Sequence, residues 1–432
     1  MKNTLKKLPK SQVEIEFEVP TEDLAKCLDK ATAHAAEHLH IDGFRKGNAP
    51  RNVVEEKAGK ETLLAEAADL AAKDAYTEAI KEHKLEPISS PEIEVLKLAP
   101  GNPFLFKLKV FVMPEVELAD YKKFAQQIKK NEVSITEEDM ADTFAYLRKS
   151  RAKFSQLSRP AQEKDFVMIE YESPELSGAI STPDAKKPIK DEFILGEGGM
   201  VPGFEKNLIG MSADEEKSFF IIFPKESSRK DLAGKEVNFK VKMLSVQQVE
   251  LPEVDDNFAK SLGNFENLVA LEKNIKDGMK MEKEGQERER QRNEVIEKVA
   301  ERSKLEIPDF LIDMEKDRLF NNFQDKISQN FKMTFEEYLS SIKQDEKTIK
   351  ESFQKEAEKK VRNFLVLREI GQKENVSVEE KEVEEEANRI LKKYPAETAK
   401  KIDINQLKEY ARGVVYNEKV FEKLESFSRN EN

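Results

Sequence analysis

The stretch Gly43-Phe44-Arg45-Lys46-Gly47-Asn48-Ala49-Pro50 sets one aromatic side chain beside two cations and brackets the three with glycines. Glycine lets the backbone turn tightly on either side. Working outward, Val13, Ile15, Phe17 and Val19 alternate with polar residues, which predicts a half-buried strand. Pro20 and Thr21 then open a helix that runs to about His40, with Thr21 as N-cap and Glu22 and Asp23 in the first turn. Beyond Pro50, Leu63, Leu64, Ala67, Leu70, Ala71, Ala75 and Ile80 give one apolar face to a helix from about Glu61 to His83. Strands are expected near Glu92–Leu98 and Phe104–Val112. The predicted order is βααββ, an α+β layer pair with residues 43–50 as its exposed tip.

Length and composition bound the rest. The 432 residues exceed one ordinary domain. Charged residues reach 37%, above the usual quarter, which points to long solvated helices or extended surface. The net charge of −12 argues against a free nucleic-acid binder, so any RNA contact has to come from a local basic spot. A single cysteine, Cys27, forbids an internal disulfide and fits a reducing compartment. The N-terminal segment has basic residues but no apolar core of a secretory signal, and no run is long enough to span a membrane. These features predict a cytoplasmic protein with no membrane partner.

Residues 115–159 read as a helix, with Met140, Phe144 and Leu147 at helical spacing. From Asp165 to Val246 the pattern turns to short strands: Val167, Ile169 and Tyr171; Ser218 to Phe223; then Val237, Phe239 and Val241. A short helix is expected near Pro202–Ile209. From Leu251 onward the pattern is helical, punctuated by Pro308, Gly371 and Pro395.

The chemistry of the tip is that of a docking element. Arg45 and Lys46 can reach RNA phosphates, and Phe44 can bury itself in a partner's pocket. An ordinary solvated turn between helices would have a similar composition. His34-Ala35-Ala36-Glu37-His38 matches a zinc-protease spacing, with both histidines on one helix face. No third ligand accompanies it, so a polar helix face is the favoured reading and no metal is expected. No GxxxxGK[ST] phosphate loop occurs, which argues against an ATP-driven cycle. No cofactor is expected.

At this point the chain resembles the trigger factor family. Gly43, Phe44, Arg45, Lys46, Gly47 and Pro50 are similar to that family's ribosome-docking signature. The likeness extends through Met200–Met211 (MVPGFEKNLIGM), Phe223–Val241, Leu251–Lys260 (LPEVDDNFAK) and Ile307–Leu319 (IPDFLIDMEKDRL). It implies a multidomain α+β protein: a ribosome-docking domain over 1–114, and a linker helix over 115–159 that belongs with the C-terminal helices. An FKBP-like antiparallel β domain with a short helix follows over 160–247, and an all-α chaperone domain over 248–432. It also implies an ATP-independent chaperone that docks near the nascent-chain exit and holds nascent and unfolded polypeptides, with peptidyl-prolyl isomerase activity. By the same resemblance Tyr171, Leu195, Met200, Val201, Phe204 and Phe239 form the prolyl cup, Phe204 its floor.

Three departures stand out. Asn48 replaces a residue that is usually basic. Ser173–Phe193 lacks the family's aromatic-acidic-Gly-Gly element, and Ser227 stands where the family has tyrosine. An aromatic wall and a polar donor are therefore missing, and the domain reads equally as a weak catalyst or a small β core. In the helical region Phe310, Leu311, Phe320, Phe323, Phe331, Phe335, Phe353 and Phe364 are expected to be mostly core, with some lining a client cradle. Three rivals stay in view. They are a stand-alone prolyl isomerase, which has no need of a docking tip; a periplasmic chaperone, which needs a signal peptide; and an acidic helical scaffold without clients.

Overall fold

The computed structural model describes residues 2–40, 44–45, 47–173, 188–226, 232–331 and 333–429. The chain divides into two compact units. One comprises Met1–Lys129, Arg292–Asn321 and Lys350–Asn432, the other Lys130–Gln291 and Asn322–Ile349.

The first unit opens with strands β1 (Lys2–Leu8) and β2 (Gln12–Val19), then helices α1 (Thr21–His38), α2 (Arg51–Ala58) and α3 (Lys60–His83), then β3 (Glu92–Lys97) and β4 (Phe104–Phe111). The sheet is antiparallel throughout, in the order β1-β2-β4-β3. Its period-2 alternation is visible in β2 and β4, where Val13, Ile15, Phe17 and Val19 sit opposite Val110, Leu108, Phe106 and Phe104, all buried. Phe17 stacks on Phe106 with ring centroids 4.7 Å apart. Leu24, Cys27 and Ala31 of α1, with Ala67, Ala71, Ala75 and Ala79 of α3, cover that face.

The expected βααββ order gains a strand and a short helix here. Lys2–Leu8 is an edge strand without a buried residue, so it carries no alternation to read. Thr21 is not the cap of α1. Pro20 holds that position, and its carbonyl accepts from the Asp23 and Leu24 N–H groups at 3.0 Å, while Glu22 and Asp23 occupy the first turn as expected.

The segment 115–159 is not one helix. It forms α4 (Tyr121–Gln127), α5 (Glu137–Ser150) and β5 (Lys153–Gln156). α5 begins afresh at a capping box: the Thr136 side chain accepts from the Asp139 N–H, and the Asp139 carboxylate accepts from the Thr136 N–H.

In the second unit β5, β6 (Phe166–Glu172), β7 (Ile189–Ile194), α6 (Phe204–Leu208), β8 (Glu216–Ile222) and β9 (Glu236–Glu250) build an antiparallel sheet in the order β5-β9-β6-β7, with β8 also on β9. Val167, Ile169, Leu195, Phe204, Val237, Phe239 and Val241 lie in one buried core. Strands β5 and β7 add to those the sequence predicts.

The remainder is helical: α7 (Asp256–Leu262), α8 (Leu268–Arg302), α9 (Asp309–Phe331), α10 (Phe335–Ile342), α11 (Glu346–Ser352), α12 (Gln354–Lys373), α13 (Glu380–Leu391), α14 (Ala396–Ala399) and α15 (Ile404–Arg429). Pro308 and Pro395 precede helices, as their fixed φ favours. Gly371 does not interrupt one. It lies inside α12, where a Cβ would stand 2.6 Å from Tyr416 Cζ and 2.7 Å from Val420 Cγ2 of α15. Among the described residues no helix is long and apolar enough to cross a membrane.

Candidate functional site

The tip between α1 and α2 is braced from behind. Leu39 donates its N–H to Ala35 O and Gly47 donates to Ala36 O, both at 2.9 Å. Gly47 has φ +83°, so the chain folds back on the last turn of α1 through a left-handed residue. Asn48 N–H closes a turn onto Arg45 O at 2.9 Å. Below it Ala36 and Val54 form a small buried core with Ala35, Leu39, Ala49 and Val53. Pro50 caps α2 and accepts from the Val53 and Val54 N–H groups. Arg51 pairs with Glu55 at 2.6 Å and reaches Asp29 of α1, which clamps the two helices together.

On this brace Phe44 is 42% exposed, and Arg45, Gly47 and Pro50 are exposed. Gly43 and Lys46 lie outside the described residues. An exposed aromatic beside a cation on a short, backbone-bonded loop can insert into a pocket with little ordering cost. The histidines lie one helix turn away. His34 bonds Glu66 through Nδ1 at 2.6 Å, and its ring lies 4.6 Å from that of His38. Among the described residues no group of three or more side chains is placed to hold a metal ion.

In the second unit the six residues expected to form the cup share one apolar cluster. β6 carries Tyr171, the end of β7 leads into Leu195, the following turn carries Met200 and Val201, α6 starts at Phe204, and β9 carries Phe239. Leu195, Phe204 and Phe239 are buried, whereas Tyr171, Met200 and Val201 are partly exposed above them. The Tyr171 ring centroid lies 5.9 Å from that of Phe204 and 6.1 Å from that of Phe239. Phe204 meets Phe239 edge to face at 5.1 Å. Burial, and then the negative charge of Asp191, push the Tyr171 phenol above its ordinary pKa, so it stays a hydrogen-bond donor across neutral pH.

Glu205 shapes the rim. Its carboxylate accepts from the Gly196 N–H at 2.7 Å and the Met200 N–H at 3.3 Å, fixing the turn that presents Met200.

Two contributors escaped sequence reasoning. Phe219 packs edge to face on Phe204 at 5.2 Å and stacks on Phe239 at 6.2 Å. Period-2 reading of Phe219, Ile221 and Phe223 as the inward set, against exposed Phe220 and Ile222, would have found it. The Glu205 staple has no local pattern to reveal it. The divergent stretch is described only in part, because residues 174–187 lie outside the described residues, as does Ser227.

Among the helical phenylalanines, Phe320 is buried and Phe353 is partly buried beside Ile312 and Ala357, so both belong to the core. Phe310 stacks on Phe111 at 5.9 Å, Phe323 packs with Phe335 and Tyr338, and Phe364 is exposed. The Phe331 side chain lies outside what is described.

Comparison with known proteins adds a second line. A family model described as "Bacterial trigger factor protein (TF)" matches residues 1–147, and its C-terminal counterpart matches 267–426. Between them, "FKBP-type peptidyl-prolyl cis-trans isomerase" matches 158–244. The chain is 34% identical over 415 residues to the "Trigger factor" of Caldicellulosiruptor bescii, covering 94% of this chain and 92% of that protein. It is 34% identical over 385 residues to that of Halothermothrix orenii, covering 88% of each. To that of Carboxydothermus hydrogenoformans it is 32% identical over 420 residues, covering 96% of each.

Proposed function

We infer the function from one premise: the chain belongs to the trigger factor family and carries an FKBP-type isomerase domain at residues 158–244. On that premise the protein is an ATP-independent chaperone. It docks on the ribosome near the nascent-chain exit, holds nascent and unfolded polypeptides, and acts in the cytoplasm. Its working regions are a docking domain over 1–114, a linker over 115–159, an FKBP-like domain over 160–247 and a helical client-binding domain over 248–432.

The observation that carries the docking assignment is the braced tip, with Phe44 and Arg45 exposed on a loop tied to Ala36 O through Gly47. Phe44 would fill a pocket, while Arg45 and Lys46 neutralise phosphates. Phosphate contacts release counterions, so binding must weaken as salt rises. Replacing Phe44, Arg45 and Lys46 together by alanine should abolish co-sedimentation with ribosomes. A triple variant that pellets like the parent chain would overturn the docking role.

The isomerase acts without covalent chemistry. An amide barrier of roughly 18–20 kcal/mol falls when a dry cup binds the twisted prolyl amide more tightly than the planar one. Tyr171, Met200 and Val201 are the surfaces such a ring would meet first, with Phe204 beneath and Phe239 and Leu195 behind. The Tyr171 phenol can donate to a substrate carbonyl at the rim. With no aromatic-acidic-Gly-Gly element and Ser227 in place of tyrosine, catalysis is proposed to be weak and the cup to serve also as a client contact. The check is isomerisation of a short prolyl peptide by the full chain, by Phe204→Ala and by Ser227→Tyr. Phe204→Ala should remove the activity and Ser227→Tyr should raise it. High parental activity unmoved by Ser227→Tyr would refute the weakness.

A further inference from the structure

The solvent face of the N-terminal sheet is a ladder of charges sorted by strand. β1 contributes Lys2 and Lys6, opposite Glu18 and Glu14 of β2. β2 contributes Glu14, Glu16 and Glu18, and β4 answers with Lys109 and Lys107. Lys107 pairs with Glu16 at 2.9 Å and Lys109 with Glu14 at 3.7 Å. β3 then places Glu92 opposite Lys109 and Glu94 opposite Lys107. The full order basic, acidic, basic, acidic runs along Lys6, Glu14, Lys109 and Glu92, and the next row, from Thr4, keeps Glu16, Lys107 and Glu94. A bulge after Val95 then sets Lys97 against Leu105, and β3 is the outermost strand on that side.

The opposite face of β3 is also incomplete. Ile93 and Val95 sit in register with Leu108 and Phe106, so they point to the core side of the sheet. Leu108 and Phe106 are buried, whereas Ile93 is 48% and Val95 54% exposed. The apolar face extends one strand farther than the residues that cover it. β3 therefore presents three unmet requirements along one edge. They are a row of main-chain groups with no neighbouring strand among the described residues, two carboxylates whose facing lysines already pair with Glu14 and Glu16, and two half-exposed aliphatic side chains.

We propose that the free edge of β3 is a docking site for an extended polypeptide segment that alternates basic and apolar residues, added as a fifth strand. The reading rests on the proposed client-holding function and gives it a location and a sequence preference. The carboxylates repel acidic strands and other copies of β3 while attracting basic ones, so the edge is guarded and selective at once. A second copy's β1 is a poorer occupant, because the face it shares with Leu5 also carries Asn3 and Lys7.

The test uses the full chain and two labelled peptides, one alternating lysine with valine and one alternating glutamate with valine, followed by fluorescence anisotropy. The parent chain should favour the lysine peptide by about tenfold or more, since two facing charge pairs change from attraction to repulsion. Glu92→Lys with Glu94→Lys should invert the preference, and gain of the glutamate peptide would show that the variant is folded. Ile93→Ser with Val95→Ser keeps the charges and should weaken the lysine peptide about tenfold. Binding that survives this second variant would mean plain attraction to an acidic protein and would sink the proposal. So would an unchanged preference after charge reversal. Sedimentation showing the lysine peptide displacing a self-associated chain would assign the edge to a second copy instead. Aggregation suppression of a denatured client is measured beside these. A parent chain that fails there while keeping the peptide preference refutes the chaperone reading and leaves the edge assignment standing.

Discussion

Gly371 shows how much a single residue can hide from sequence reading. In sequence it looks like helix punctuation, because glycine disfavours a helix interior by about 1 kcal/mol relative to alanine. In the fold it lies against α15, and Tyr416 and Val420 occupy the space a Cβ would need. The partners lie far along the chain, so no local pattern announces the contact. Gly371→Ala should therefore destabilise the first unit despite its better helix propensity, by about 1–3 kcal/mol for an overpacked core. Urea unfolding followed by circular dichroism reads this, and a neutral or stabilising result would mean that Tyr416 moves aside freely. Phe204 is the reverse case. The resemblance placed it at the floor of the cup, and the fold buries it completely among Tyr171, Phe219 and Phe239. Phe204→Ala should cost about 3–5 kcal/mol in the second unit, measurable as a lowered unfolding midpoint. Loss of isomerisation in that variant thus needs to be read at a temperature where it remains folded.

Legibility of elements follows burial. β2 and β4 could be read because each has one fully buried face, which forces alternation. β1 has none, and β7 pairs exposed residues on an edge with only intermediate burial, so neither has a buried face that forces apolar and polar residues to alternate. The break between α4 and α5 could have been found from the Thr136–Asp139 capping pattern.

That same α5 carries a pH prediction. The Lys283 ammonium at 2.6 Å, then the Thr136 N–H and hydroxyl, lower the Asp139 pKa from 3.8 to about 2. The Arg290 guanidinium, then the Asn131 N–H, lower that of Glu287 from 4.5 to about 2. Both carboxylates are depressed in the folded chain, so their stabilisation is complete above the unfolded values. It is lost as pH falls from 4.5 toward about 2. The urea midpoint of the second unit should drop through that window, and Asp139→Asn with Glu287→Gln should flatten the drop while lowering the plateau at neutral pH. A slope unchanged in the double variant would show that other carboxylates govern acid unfolding.

At the scale of the molecule, the braced tip and the aromatic cluster around Phe204 belong to different units, so the functions proposed for them should be separable by mutation. The core beneath the tip is built from Ala36, Val54, Ala35, Leu39, Ala49 and Val53, and the helix clamp from Arg51, Asp29 and Glu55. None of these is Phe44 or Arg45, so removing the exposed side chains leaves the brace intact. The proposed ribosome docking should then be lost in two ways. Alanine at Phe44, Arg45 and Lys46 removes the groups proposed to make contact. Gly47→Val keeps every contacting group but forces a branched side chain into φ +83°, a left-handed conformation that costs roughly 1–2 kcal/mol. If docking depends on the loop being held ready, that strain should weaken ribosome affinity about tenfold, each 1.4 kcal/mol or so being a factor of ten. In the same preparation, peptide isomerisation and suppression of client aggregation should match the parent chain, since the aromatic cup belongs to the second unit. Co-sedimentation across a salt series distinguishes the two variants further. The triple alanine variant should lose salt dependence along with affinity, whereas Gly47→Val should keep the slope and shift the curve, because its cations remain. Parental ribosome affinity in Gly47→Val would show that the docking residues act without the brace.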